Sequence, residues 1–223
     1  MAEQLTFDLP AKPALGRDAF FVSPSNALAV KRLECWQDWP DGRLVLCGPA
    51  GAGKTHLAHV WASEAGATLV EALDLNDDLA ARLSDQTCLV VENADRVAGN
   101  LAQETALFHL YNLLASAGGY LLLTAATAPA RWALDLPDLK SRLQSVSIVD
   151  LDAPDDALLA ALLVKLFDDR QIGINAELIP YLVSRMDRSA DAAQNLVAAL
   201  DRAALEQKRA VTRRLAAEVL DKL

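Results

Sequence analysis

Five short apolar runs punctuate the first two thirds of the chain, at 44–47, 68–71, 88–91, 120–124 and 146–149. They are mostly continuous rather than alternating, the pattern of strands buried on both faces. Between them apolar residues recur at helical spacing. The stretch 101–117 sets Leu107, Leu110 and Leu114 on one face, and 56–62 also reads as helix. Strands alternating with helices predict an α/β fold with a parallel sheet covered on both faces. After Asp150 the texture changes. Asp152-Ala153-Pro154-Asp155-Asp156 combines an acidic cap with a proline near the first turn, which is helix-start chemistry. Helices are predicted beyond it at 155–170, 176–186, 190–207 and 212–222, with Gly173 and the stretch 187–189 as breaks and Thr212 as a cap. The expected organisation is a tail over 1–17, an α/β domain over 18–150 and an all-helical module over 151–223.

The first run leads into Gly48-Pro49-Ala50-Gly51-Ala52-Gly53-Lys54-Thr55, which fits G-x-x-x-x-G-K-[ST], the phosphate-binding P-loop. Strand, glycine loop and helix is the context this motif requires. Glycines let main-chain N–H groups turn inward, and the helix that follows aims its positive end at the phosphates. Lys54 is placed to reach the β- and γ-phosphates, and the Thr55 hydroxyl to hold Mg²⁺. His56, next in the chain, joins the candidate nucleotide contacts. A glycine turn that merely joins strand to helix has no need of Lys-Thr at its end.

Hydrolysis requires more: an acid for Mg²⁺, a group that positions water, and charge stabilisation of the transition state. The run 88–91 ends in Glu92-Asn93, and the acid is expected there, at the end of a strand beside the P-loop strand. Glu92 is one methylene longer than Asp and moves its carboxylate about 1 Å outward, a shift that can cost about 10²-fold in a positioned reaction. Asn93 can orient a water but cannot take its proton at neutral pH. Thr124 ends the fourth run. It either faces the γ-phosphate from between the P-loop strand and the acidic strand or makes ordinary strand-end hydrogen bonds. Arg142, on residue chemistry alone, reads as a surface arginine.

Composition narrows the partners. The net charge is −9, a poor balance for binding nucleic acid, which rests on phosphate neutralisation. Lys208-Arg209 with Arg213-Arg214 reads as the solvated face of a terminal helix. No apolar run approaches the roughly 18 residues of a membrane span, and the N-terminus lacks a signal-peptide pattern. The three cysteines have no metal-type spacing. Cys47 and Cys88 fall within or beside strand runs, as buried thiols do, and a cytoplasmic location is expected.

P-loop, acidic strand end, polar strand end, arginine and helical module, in that order, resemble an AAA+ ATPase. Gly53-Lys54-Thr55-His56-Leu57 is similar to the DnaA-like group of that superfamily. Leu136-Pro137-Asp138-Leu139-Lys140-Ser141-Arg142-Leu143 and Asp201-Arg202-Ala203 resemble its Hda-type regulatory inactivators, as does Glu92-Asn93-Ala94, where those sequences tend to carry Asp-Asn. Phe20-Phe21-Val22-Ser23-Pro24-Ser25-Asn26 is similar to the segment bordering the adenine pocket, which gives Phe21 and Val22 a place in the nucleotide site. The resemblance runs from about Phe20 to the C-terminus. It implies a P-loop AAA+ module, with a five-stranded parallel sheet between helices, followed by a small all-α lid domain. It also implies ADP or ATP as ligand, with Mg²⁺ held by Thr55 and Glu92.

The tail gains a meaning from the same resemblance. Gln4-Leu5-Thr6-Phe7-Asp8-Leu9 resembles the glutamine-led peptides that dock on the replication sliding clamp, the beta subunit of DNA polymerase III. Gln4 would hydrogen-bond at the pocket edge, with Leu5, Phe7 and Leu9 as apolar anchors. About ten residues then separate motif from domain, a reach on the order of 35 Å. Arg142 matches the arginine that this group presents to a neighbour's nucleotide, and such a finger in trans is worth about 10³–10⁵ in rate.

Two positions depart from the pattern. Glu92 replaces Asp, and the lid arginine is displaced: one register puts Asp191 at its place, another Gln194, with Arg188 a turn upstream as the substitute. Both departures imply weak hydrolysis by the chain itself. The implied function is negative regulation of replication initiation, in which the chain, with the clamp, promotes hydrolysis of ATP on DnaA. An autonomous AAA+ ATPase acting as a loader or remodeller stays open as the alternative. A DNA-binding initiator fragment is disfavoured by the charge and by the expected end of the chain at the lid, with no helix-turn-helix beyond it. A homodimer is one option for assembly, and neither sequence-specific DNA binding nor a membrane is expected.

Overall fold

A computed structural model describes residues 21–222. Gln4, Leu5, Phe7 and Leu9 lie outside the described residues. The five apolar runs become β1 (Arg43–Cys47), β2 (Thr68–Glu71), β3 (Cys88–Glu92), β4 (Tyr120–Ala125) and β5 (Ser147–Asp150). All neighbouring pairs are parallel, in the order β2-β3-β4-β1-β5. The helices are α1 (Ala27–Glu34), α2 (Lys54–Ala65), α3 (Asp77–Arg82), α4 (Leu101–Ser116), α5 (Pro137–Gln144), α6 (Asp156–Asp169), α7 (Leu178–Val183), α8 (Ala190–Gln207) and α9 (Arg213–Leu220).

Successive strand residues point to opposite faces, so each run feeds two cores. Val45, Leu89, Val91, Leu121 and Leu123 pack with Leu107, Leu110 and Leu114 of α4 and Leu139 and Leu143 of α5. Leu44, Leu46, Val90 and Leu122 pack with Leu57, Ala58 and Trp61 of α2 and with α1. Full burial of one such leucine contributes about 1.5–3 kcal/mol. The Trp61 ring stacks on Trp39, with centroids 5.1 Å apart, and fixes α2 against the sheet. A third core, with Leu163, Phe167, Leu182, Leu196 and Leu215 at its centre, is made by α6 to α9 and the segments that join them.

Three local devices position the site. Arg43 is buried at the start of β1; its guanidinium donates to the carbonyls of Gly42 (3.1 Å), Gly119 (2.7 Å) and Tyr111 (3.2 Å) and pins the N-terminal ends of β1 and β4. Glu104 of α4 is fully buried and accepts the N–H groups of Gly99 (3.0 Å), Asp135 (2.9 Å) and Leu136 (2.7 Å), setting the entry to α5. Asp155 caps α6 through the N–H of Leu158 (2.8 Å), and its other oxygen accepts the N–H of Ser25 (3.3 Å), tying the helical module to the segment before α1.

One expected adjacency is corrected. The acidic strand β3 does not lie directly beside β1, because β4 runs between them, in the place expected for the strand that ends at Thr124. The apolar runs specify strands but not their order. β5 also begins at Ser147 rather than at 146, since the Val146 N–H is used by the last turn of α5, bonding the Leu143 carbonyl at 3.3 Å.

Candidate nucleotide-binding site

The P-loop leaves the C-terminal end of β1, the end of a parallel sheet where ligands bind. Gly51 (φ +71°) and Gly53 (φ +99°) adopt left-handed backbone, which bends the loop back to start α2. Lys54 opens that helix, and its ammonium donates to the carbonyls of Gly48 (2.7 Å) and Pro49 (2.8 Å), so it is held across the loop. Burial pushes its pKa down, while the nearby carboxylates of Asp95 and Asp191 and the Cys47 thiol work the other way. Thr55 and His56 follow in the first turn of α2, both exposed. Burial holds the pKa of His56 low, and Lys165 of α6 and His59 add to that effect. Cys47, beneath the loop, is pushed up to about 11 by burial and by Asp150 and Asp95.

Glu92 turns toward α2. Its Oε2 lies 3.6 Å from His59 Nε2, and its Oε1 is buried with no hydrogen-bond partner among the described residues. Thr55 and His59 are four residues apart, so they stack on one face of α2. Glu92 therefore sits one helical turn below the Thr55 hydroxyl. A hard cation favours such oxygen donors. A carboxylate with one unpartnered oxygen on the strand packed against α2, and the Thr55 hydroxyl one turn along that helix, are donors of the type Mg²⁺ takes, and the ion when bound would offset phosphate charge. Among the described residues, no three His, Cys, Asp or Glu side chains form a metal cluster of their own. The phosphates of a nucleotide would complete the shell.

Asn93 turns elsewhere. It sits in left-handed backbone at φ +54°, and its amide donates to both carboxylate oxygens of Glu71, at 3.1 Å each. Its own N–H donates to the Thr124 hydroxyl at 3.0 Å, a bond between the ends of β3 and β4. Asp95 was not singled out from the sequence. Its Oδ2 accepts the N–H of Ala126 (3.1 Å), just past β4, and among neighbouring carboxylates it has the largest effect on Lys54. Only the strand order reveals that position.

The helical module closes the other side. The Ala190 N–H donates to the Gly51 carbonyl at 2.8 Å, and a Cβ on Gly51 would stand 2.2 Å from that of Ser189. The start of α8 thus rests on the P-loop, and Asp191 in its first turn is near enough to affect Lys54. Arg188 is ion-paired with Asp156 of α6 at 2.7 Å. The Phe21 carbonyl accepts from the Asn26 amide (3.0 Å), and Val22 packs on the core that holds Leu46 and Leu151.

Arg142 stands apart from all of these. It is exposed in the last turn of α5 and borders a recess of about 450 Å³ lined also by Arg43, Tyr111 and Tyr120. Tyr120 begins β4, whereas the P-loop lies beyond its far end. A strand of that length spans about 17 Å, more than an arginine side chain reaches.

No protein-family model matches the chain. An uncharacterized protein of Haemophilus influenzae is 27% identical over 174 residues, covering 74% of this chain and 75% of that protein. The replication initiator DnaA of Sphingopyxis alaskensis is 30% identical over 186 residues, covering 69% of this chain and 41% of DnaA. The chain spans 40 to 45% of the length of the DnaA proteins it matches. Among solved structures, domain III of Thermotoga maritima DnaA superposes with a TM-score of 0.78 at 17% identity, covering 91% of this chain and 94% of that one. AMPPCP-bound DnaA from Aquifex aeolicus gives 0.72 at 16%, covering 88% and 68%. The Thermotoga maritima branch-migration motor RuvB gives 0.72 at 21%, covering 91% and 70%. Among the described residues, no helix is long and apolar enough to cross a membrane. The chain thus has the fold of the AAA+ domain shared by DnaA and RuvB, and it is homologous in sequence to DnaA at modest identity.

Proposed function

We propose that the chain is a nucleotide-binding negative regulator of replication initiation, of the Hda type. It binds ADP or ATP with Mg²⁺ through Gly48 to Thr55, with Phe21, Val22 and His56 bordering the nucleotide. The tail residues Gln4, Leu5, Phe7 and Leu9 dock on the sliding clamp. The AAA+ face carrying Arg142 then meets DnaA, and Arg142 promotes hydrolysis of ATP held by DnaA.

The observation that carries this reading is the position of Arg142, exposed at the strand ends opposite its own P-loop. There it is out of reach of its own P-loop, which supports a role toward a nucleotide bound by another molecule. Sequence homology to DnaA and the fold of its AAA+ domain support DnaA as that molecule. The commitment of the Asn93 amide to Glu71 supports weak hydrolysis by the chain itself, because that amide is turned away from the P-loop. The test is ATP turnover on DnaA with clamp loaded on DNA. Wild type should accelerate it, and Arg142→Ala should not. Equal rates for the two proteins would reject the mechanism.

A further inference from the structure

Four polar side chains lie at or just past the end of β3: Glu92, Asn93, Asp95 and Arg96. Two are turned toward the sheet edge. Asn93 donates to Glu71, and Arg96 Nη1 lies 3.9 Å from the same carboxylate, at the end of the edge strand β2. Asp95 leans the opposite way, across β4. Its Oδ2 accepts the Ala126 N–H at 3.1 Å. The preceding residue, Ala125, pairs with Cys47 at the end of β1, and its carbonyl accepts the Gly48 N–H at 3.2 Å. Asp95 is therefore anchored one residue from the strand pair that launches the P-loop. The Ala126 N–H engages Oδ2, and no hydrogen bond engages the other oxygen among the described residues. Glu92, on the α2 side, keeps its buried Oε1, which has no partner among the described residues.

Two carboxylates thus border the cradle in which a polyphosphate of three or four negative charges would lie. Alone they repel it. A divalent cation reverses the sign, and Mg²⁺ in such sites is held by one or two carboxylates together with phosphate oxygens and water. We propose that Asp95, rather than Asn93, supplies the second carboxylate of the divalent-cation shell at the nucleotide site, alongside Glu92 and the Thr55 hydroxyl. This inference rests on the reading of the P-loop as a nucleotide site.

The experiment is calorimetric titration of the full chain with ADP and with ATP, each in excess Mg²⁺ and in EDTA, for wild type and Asp95→Asn. Asparagine keeps an oxygen for the Ala126 N–H, so the β3–β4 contact survives. The expected result is a crossing of signs. With Mg²⁺ the variant binds about five- to tenfold more weakly than wild type, and in EDTA it binds more tightly, because one repelling charge is gone. A purely structural role for Asp95 would weaken binding in both conditions, and that outcome overturns the proposal, as does unchanged binding in both. If wild type itself binds neither nucleotide, the nucleotide reading fails and takes this inference with it.

Discussion

At the scale of single residues, Gly51 joins loop geometry to lid position. A side chain there meets left-handed backbone, worth about 1–2 kcal/mol, and a Cβ contact of 2.2 Å with Ser189. At Gly53 the backbone is also left-handed, but an added Cβ meets no protein atom within 4 Å among the described residues. Gly51→Ala should therefore lower the stability of the chain more than Gly53→Ala, as urea titration of the two variants would show. The cysteines give a second check at this scale. The reactive species is the thiolate; Cys47 is buried with its pKa pushed up to about 11, and Cys88 is buried and also raised, mainly by desolvation. Iodoacetamide at neutral pH should modify exposed Cys35 in the native chain and spare the other two, with all three labelled after denaturation. Rapid native labelling of Cys47 would mean that the P-loop strand is not packed as described. The burial of Cys47 and Cys88 was legible from their place in apolar runs. The position of Asp95 was not. Nothing local marks it, because its significance comes from β4, more than 20 residues further along, lying between β3 and β1.

At the scale of elements, two carboxylates hold helices in place. Glu104 accepts three backbone N–H groups and fixes the approach to α5, the helix that presents Arg142. Glu104→Ala would leave those donors buried and unpaired, at a cost of about 1–3 kcal/mol for each group left unsatisfied. A clear loss of stability in urea titration is expected, together with loss of any activity that depends on Arg142. Asp155 links α6 to the segment before α1. Burial opposes its ionisation, but the N–H of Leu158 and the Ser23 and Ser25 groups outweigh burial and hold its pKa below the ordinary value. A depressed carboxylate pKa contributes stability above the unfolded value, about 3.9, and that contribution is lost as pH falls through the folded value. The stability gap between wild type and Asp155→Asn should therefore be open at neutral pH and close below about pH 4. A pH-independent gap would show that the charge of Asp155 does not matter. Element type was largely legible: continuous apolar runs became strands, and the capping chemistry at Asp155 and Thr212 became helix starts. The short helices α1, α3 and α5 do not stand out in the pattern, whereas α7 and α9, equally short, do, because Gly173, the break at 187–189 and the Thr212 cap set them off.

At the scale of the whole molecule, the candidate residues gather at the two opposite ends of the sheet. The C-terminal strand ends gather the P-loop, Glu92, Asp95 and the start of α8, where Asp191 and the Ser189 contact bring the helical module onto Gly51. The N-terminal strand ends carry Arg43, Tyr120 and Arg142 around an open recess. The motif at Gly48 to Thr55 was plain in the sequence. That Arg142 lies at the opposite end of the sheet was not, since it follows from the packing of α5. On the function proposed above, the nucleotide of this chain sets its shape and Arg142 serves the nucleotide of a neighbour. The most direct test is single-turnover hydrolysis of ATP on DnaA, with clamp loaded on DNA, driven by wild type or by Arg142→Ala that still binds ADP. The variant should be slower by about 10³-fold, at the lower end of what an arginine finger contributes. If it drives hydrolysis as fast as wild type, Arg142 is a surface residue and the mechanism in trans is wrong.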